Sequence, residues 1–114
     1  MAEAPYSKTV VMGDVLYISG QLGRAPGSTG LVSGGFAAEL RQVLANLDAI
    51  LQEHGVGRDR VAKTNVFLTS EADWPALNDA YVEFFADPRP ARSTVVVASL
   101  LGGAVVEIDA IAHL

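Results

Sequence analysis

Residues 105–113 read VVEIDAIAH, and their alternation decides the fold expected for this 114-residue chain. Successive side chains of a β-strand point to opposite faces of its sheet. One face of this segment is wholly apolar and consists of Val106, Ile108, Ala110 and Ala112. The other face mixes apolar and acidic side chains, namely Val105, Glu107, Asp109 and Ile111. We therefore expect a strand whose apolar face lies in the core.

Four further strands and two helices are predicted upstream of this strand. The strands cover residues 9–12, 15–22, 61–68 and 91–99. The first helix covers residues 36–54, with Ser33 as its N-cap and Gly55 following its C-terminal end. The second helix starts where Asp73 caps a first turn that contains Pro75. The order β-β-α-β-α-β-β predicts an α+β fold, with one mixed sheet and both helices packed on one face.

Two helices cover only one face of a sheet, so the other face needs a separate explanation. We assign Val95 and Val97 to the core, and place Arg92, Thr94 and Val96 on the outer face. In the strand 61–68 the outer side chains would be Val61, Lys63, Asn65 and Phe67. A face that mixes apolar and charged groups is typical of a subunit interface or a ligand site. Since half of the residues are hydrophobic, we expect an oligomer that buries this face.

Composition and charge exclude several classes of protein. The chain has 13 acidic residues, eight basic residues and a net charge of −5, which argues against a nucleic-acid partner. It has no cysteine for disulfides, and no apolar run long enough to cross a membrane. Residues 1–5 show no signal peptide. We expect a single domain over residues 1–114, located in the cytoplasm and with no membrane partner.

The side chains available for chemistry are few. Cysteine nucleophiles are absent, and the two histidines form no metal-ligand pattern. Arg92 is suited to bind a small carboxylate, and Glu107 would act as a proton carrier if partial burial raised its pKa. A plain Arg–Glu salt bridge at an interface is the competing interpretation.

The spacing of Arg92 and Glu107 adds a geometric constraint. A hairpin around Gly102 would place Arg92 opposite Ile111, which is about 13 Å along the strand from Glu107. The two side chains would then face one ligand from opposite sides, or combine across a subunit boundary. The residues alone leave both arrangements open.

The closing segments resemble the signature of the Rid family, the reactive intermediate deaminases of the RidA type. The resemblance is carried by PARSTVVVASL at 90–100, by Gly103-Ala104 and by VEIDAIA at 106–112. Weaker agreement extends over the whole chain, at Pro5-Tyr6-Ser7, residues 17–21, 31–35, Asn46-Leu47, Lys63-Thr64, Asn78 and Phe84-Phe85. Thr94 stands where some members have cysteine, and Leu101 where the family turn has proline.

The resemblance implies a chorismate-mutase-like fold and a homotrimer with ligand sites between subunits. It implies hydrolysis of enamines and imines such as 2-aminoacrylate to 2-keto acids and ammonia, with no metal or organic cofactor. Arg92 would bind the substrate carboxylate and Glu107 would position the attacking water. The remaining substrate-binding positions implied by the resemblance are Tyr6, Ser19, Gly20, Asn78 and Thr94.

Two other functions are compatible with this sequence. A trimeric protein of the same family would bind a small carboxylate, such as a 2-keto acid, without turning it over. An RNA-cleaving or translation-inhibiting protein is disfavoured, because the chain is acidic and lacks a stripe of alternating basic and aromatic residues.

Overall fold

The computed structural model describes residues 4–114, and this part of the chain forms five strands and two α-helices. The prediction about the N-terminus concerns residues 1–3 in part, and these lie outside the described residues. In chain order the elements are β1 (Thr9–Met12), β2 (Val15–Gln21), α1 (Gly35–Glu53), β3 (Val61–Leu68), α2 (Trp74–Phe84), β4 (Ala91–Val96) and β5 (Val106–His113). No helix within residues 4–114 is long and apolar enough to cross a membrane.

The five strands form one mixed sheet in the order β1-β2-β5-β3-β4. β5 lies at its centre and runs antiparallel to both β2 and β3. β3 and β4 run parallel, because the chain leaves β3, passes through α2 and returns in the same direction. The predicted α+β class, element order and mixed sheet are confirmed.

Both helices pack against the same face of the sheet and close one core. The apolar face of β5 is buried as predicted, with Val106 and Ile108 fully inaccessible to solvent. α1 contributes a stripe at helical spacing: Leu40, Val43, Leu44, Leu47, Ile50 and Leu51. α2 adds Leu77 and Tyr81 to the same cluster. The opposite face of the sheet, called the outer face below, has no helix on it.

The ends of α1 depend on glycine rather than on a polar cap. Gly34 is the N-cap with a φ of 119°, and no side chain caps the helix there. The prediction of Ser33 as the N-cap is therefore wrong. Gly55 follows the helix with a φ of 73°, as predicted, since glycine adopts this left-handed conformation without steric strain.

The predicted hairpin between the last two strands is wrong. β4 and β5 are not neighbours, because β3 lies between them and pairs with both. β4 also ends at Val96 rather than at residue 99, and the 3-10 turn Leu101–Gly103 belongs to the connection that crosses to β5. A hairpin was expected because β4 and β5 are close in sequence. The crossover through α2 instead brings β4 beside β3, at the edge of the sheet.

The predicted faces of β4 are inverted. Arg92, Thr94 and Val96 pair in register with Thr64, Val66 and Leu68 of β3, respectively. These three β3 side chains are buried on the helix side, so the β4 residues opposite them point the same way. Arg92, Thr94 and Val96 therefore lie on the helix side, and Val95 lies on the outer face. β4 is only partly covered, so its run of valines did not reveal which face is inside.

One further prediction about sheet faces is wrong. We expected Val61 on the outer face and Ala62 in the core, but Val61 is buried and Ala62 is exposed. The pairing of β3 with β5 shifts register between Val61 and Lys63. Such a bulge reverses which side chains point inward before it. From Lys63 onward the alternation follows the prediction.

A buried hydrogen bond fixes α2 against the sheet. Thr64 Oγ1 and Tyr81 Oη are 2.6 Å apart, and both side chains are buried. We expect Tyr81→Phe to destabilise the fold by about 1–3 kcal/mol, because the Thr64 hydroxyl is left without a partner. Urea unfolding measures this change.

The control is the double variant Thr64→Val/Tyr81→Phe, compared with each single variant. The double variant removes both hydroxyls, so it should be destabilised by less than the sum of the single variants. Strict additivity of the two changes would contradict the hydrogen bond.

Candidate functional site

Arg92 is held on the helix side of the sheet by one neutral hydrogen bond and two aromatic rings. Its Nη2 donates to Asn78 Oδ1 at 2.7 Å. The guanidinium carbon lies 4.7 Å from the centre of the Tyr81 ring and 5.1 Å from that of Trp74, distances typical of cation–π contacts. A guanidinium has five N–H donors, and no carboxylate within residues 4–114 pairs with this one. Most of its donors are thus available to a ligand.

Thr94 lies two residues along the same face of β4. Its Oγ1 is buried and has no hydrogen-bond partner within the described chain, an arrangement that is unfavourable unless a ligand completes it. The hydroxyl borders a cleft of about 480 Å³ that is also lined by Leu68, Glu71, Ala72, Trp74, Pro75 and Val96. Arg92, Asn78, Thr94, Trp74 and Tyr81 together are called the arginine half-site below.

Tyr81 remains neutral beside this cation. Burial raises the pKa of its hydroxyl, while the hydrogen bond to Thr64 and the charge of Arg92 lower it less strongly. The ring therefore faces Arg92 as an uncharged aromatic surface, and does not neutralise the guanidinium.

Glu107 lies on the outer face of β5, where a glycine leaves room for its carboxylate. A Cβ placed on Gly20 of β2 would lie 2.5 Å from Glu107 Oε2 and 2.8 Å from its carboxyl carbon. Any larger residue at position 20 therefore displaces the carboxylate. Gly20 also lies at an irregularity in the sheet, because the register of β2 against β5 shifts between Ile18 and Gln21.

The environment of Glu107 disfavours its charged form. Partial burial raises the pKa of the carboxyl above its ordinary value, and the nearby charge of Asp109 raises it further. Asp109 itself accepts a hydrogen bond of 2.9 Å from Asn65 Nδ2, which holds it in place. A carboxylate of raised pKa is a stronger base than an ordinary one, so Glu107 is suited to take up and return a proton.

Ser19 and Tyr6 complete the surroundings of Glu107. Ser19 Oγ donates to the backbone oxygen of Ser7 at 2.6 Å, which ties the N-terminal segment to β2. Tyr6, Ser19 and Gly20 line a cleft of about 540 Å³ together with Glu107 and Asp109. These five residues are called the glutamate half-site below.

The structure brings the predicted site residues together in two groups and not in one. Arg92 pairs with Thr64 of β3, whose side chain points toward α2, whereas Glu107 pairs with Phe67 on the outer face. The two half-sites of one chain therefore lie on opposite faces of the same sheet. The prediction that Arg92 and Glu107 share the outer face is wrong, and a ligand cannot contact both within one copy.

Sequence reasoning missed the aromatic neighbours of Arg92. Trp74 is 44% exposed and Tyr81 is buried, and both rings face Arg92. The one signal in the sequence is that the single tryptophan of the chain stands in the first turn of a helix, next to Pro75.

Two other groups of residues have structural roles. The side chains of Arg58 and Arg60 are already engaged in hydrogen bonds within the chain. Arg58 donates to Asp48 and to the backbone oxygen of Phe84, and Arg60 bonds His113. Among residues 4–114, no three His, Asp or Glu side chains are grouped closely enough to hold a metal ion.

The chain is similar in sequence to a known family and to its members. A family model described as endoribonuclease L-PSP matches residues 1–114. The 2-iminobutanoate/2-iminopropanoate deaminase of Dermatophagoides farinae is 41% identical over 107 residues, which are 94% of this chain and 84% of that protein. The human protein of the same name is 41% identical over 111 residues, which are 97% of this chain and 81% of that one.

Solved structures agree with the sequence matches. The crystal structure of RidA from an Antarctic Psychrobacter species superposes with a TM-score of 0.92 at 41% identity, covering 100% of this chain and 92% of that one. A putative endoribonuclease from Thermotoga maritima gives a TM-score of 0.92 at 41% identity, covering 99% and 89%.

The fold and the two half-sites define an α+β protein with an arginine whose donors are largely free and a glutamate of raised pKa. The chain belongs to the endoribonuclease L-PSP family, which is the Rid family that its sequence resembles. The expected kinship with imine-deaminase enzymes is confirmed by the curated relatives at 41–43% identity that carry this name.

The cause of the raised Glu107 pKa is testable by carboxyl-selective NMR titration. We expect the wild-type pKa to lie above that of an ordinary glutamate, and Asp109→Asn to lower it by removing a repelling charge. It should stay above the ordinary value in this variant, because burial is the larger cause.

Asp79→Asn is the matched control, since Asp79 is exposed on α2 at the other side of the sheet. A Glu107 pKa that responds equally to both substitutions, or that is not raised in the wild type, would contradict this explanation.

Proposed function

We propose that this protein hydrolyses 2-imino acids and their enamine tautomers, such as 2-aminoacrylate, to 2-keto acids and ammonia. The observation that carries the proposal is the Arg92 guanidinium, which is oriented by a neutral amide and two rings while most of its donors stay free. The curated relatives support the reaction class, since their names specify 2-iminobutanoate and 2-iminopropanoate deaminase.

Arg92 binds the carboxylate of the substrate through two parallel N–H···O bonds. Asn78 occupies one donor of the guanidinium and so sets the direction of the remaining ones. The Thr94 hydroxyl, which lacks a partner in the described chain, supplies a further hydrogen bond on the same side. These contacts hold the reacting carbon at a constant position.

Glu107 activates water for attack on that carbon. The enamine first takes a proton at C3 and loses one from its nitrogen, and so becomes the imine. The Glu107 carboxylate then accepts a proton from water as the oxygen bonds to C2 of the imine, and it passes this proton to the nitrogen, so that a neutral carbinolamine forms. Glu107 next takes the proton of the carbinolamine hydroxyl and delivers it to the nitrogen. The C–N bond breaks as the C=O bond forms, and ammonia and the 2-keto acid are released. The reaction consumes one imine and one water, and its atoms and charges balance without a metal or an organic cofactor.

The site requires two copies of the chain. Because the half-sites of one copy lie on opposite faces, we propose that the arginine half-site of one subunit meets the glutamate half-site of the next. A head-to-tail contact closes into a ring when the rotation between neighbouring copies divides a full turn evenly, and we propose a ring of three copies, a homotrimer. The exposed apolar side chains of the outer face support such a contact: Val10, Met12, Tyr17 and Val95.

The reaction is tested by coupling a serine dehydratase to the protein in the presence of semicarbazide, which traps the remaining imine. Active protein should lower semicarbazone formation. Arg92→Ala should reduce kcat/KM by about 100-fold or more, mainly through KM, because the buried carboxylate contact is lost. Glu107→Gln should reduce kcat by about 100- to 10,000-fold, because the proton carrier is lost.

Arg92→Lys is the matched control, since it keeps the charge but loses the paired hydrogen bonds. We expect its activity to lie between those of the wild type and Arg92→Ala. Wild-type protein that binds 2-oxobutanoate but leaves the semicarbazone yield at the level of buffer would refute the deaminase and favour a carboxylate-binding protein.

A mixing experiment tests the site between subunits. Arg92→Ala and Glu107→Gln subunits, unfolded and refolded together at equal amounts, form some contacts that combine an intact Arg92 with an intact Glu107. Random assembly makes about one quarter of the contacts intact, so about one quarter of the wild-type activity should return.

The two variants refolded separately and then pooled provide the control. If activity does not return in the mixture while ultracentrifugation shows mixed oligomers, the two residues do not act across a subunit boundary.

A further inference from the structure

A second cleft meets the glutamate half-site. It has a volume of about 460 Å³ and shares Tyr6, Ser19, Gly20 and Glu107 with the cleft described above. Lys8 and Arg24 are among the other residues that line it. Two of the eight basic residues of this acidic chain therefore face the space next to Glu107. The catalysis proposed above requires neither of them.

The backbone that carries Arg24 is firmly positioned. Asn46 Nδ2 of α1 donates to the backbone oxygens of Arg24 and Leu22 at 2.9 and 3.2 Å. The preceding residue, Gly23, packs so closely on α1 that a Cβ there would lie 2.8 Å from Glu39 Cα. The position of Arg24 is thus set by the packing of β2 against α1, although its side chain is exposed.

The charges lining this cleft leave Arg24 unbalanced. Lys8 Nζ lies 3.5 Å from Glu53 Oε2, so these two groups offset one another. Within residues 4–114 the Arg24 side chain has no ion pair and no hydrogen bond. Glu107 is the other acidic group at the cleft, and its environment disfavours the charged form. An additional anion would therefore find a free guanidinium there.

We infer that Arg24, assisted by Lys8, binds a second acidic group at the end of the substrate side chain. The substrates would accordingly include 2-imino dicarboxylates, the imines of acidic amino acids. The inference rests on the proposed function: with the first carboxylate on Arg92 and the reacting carbon at Glu107, the side chain extends into the second cleft. A guanidinium is the preferred partner for a carboxylate at its end.

The test compares two imines made in place by amino-acid oxidases, one from L-glutamate and one from L-2-aminobutanoate. The quantity measured is the ratio of their kcat/KM values, dicarboxylate over monocarboxylate. Arg24→Gln should lower this ratio about tenfold, because a charge-assisted contact to the second carboxylate is lost. The matched control is Arg41→Gln. Arg41 is an exposed arginine on α1, so this substitution should leave the ratio unchanged.

An unchanged ratio in Arg24→Gln, or an equal fall in Arg41→Gln, would overturn the inference. If the wild type turns over neither imine, the proposed function has failed, and the inference is then judged by binding. NMR titration with 2-oxoglutarate and 2-oxobutanoate gives the two affinities directly. Tighter binding of 2-oxoglutarate that is lost in Arg24→Gln would support the role of Arg24, and equal binding by both proteins would overturn it.

Discussion

The parallel pairing of β3 with β4 is the constraint on which the rest of the site depends. It places Arg92 in register with Thr64, and Thr64 is fixed on the helix side by its hydrogen bond to Tyr81. Arg92 consequently lies beneath α2, among groups that orient its guanidinium without neutralising it. Had β4 paired with β5 as a hairpin, the same arginine would face different neighbours on another strand.

The surroundings of the two half-sites act differently on the charge of their central residues. The guanidinium in the arginine half-site keeps its charge against neutral Asn78 and aromatic rings, so it retains attraction for an anion. In the glutamate half-site, burial and Asp109 disfavour the charge of Glu107, so its basicity increases. Separation by the sheet keeps the two charges apart within one chain. A direct Arg–Glu salt bridge inside one copy, which would offset both properties, is therefore excluded by the geometry.

Much of the fold followed from local patterns. The apolar faces of α1 and β5 are strong periodic signals, and both were located correctly because burial of such a face dominates the local energetics. The errors about the sheet faces share one cause, which is that the interaction concerned is not local. The face of β4 depends on its register against β3, and the inward position of Val61 depends on a bulge against β5. The N-cap at Gly34 depends on a left-handed backbone that Ser33 did not signal.

The amino-acid sequence alone was sufficient for the α+β class, the element order, the family resemblance and the identity of the polar residues, because these follow from short-range periodicity and from residue chemistry. Only the tertiary structure decided which of those residues meet. Strand neighbours and register are set by how the crossover helix packs, a property of the whole chain. That packing separated Arg92 from Glu107, added Trp74 and Tyr81 to the arginine, and placed Arg24 beside the glutamate half-site.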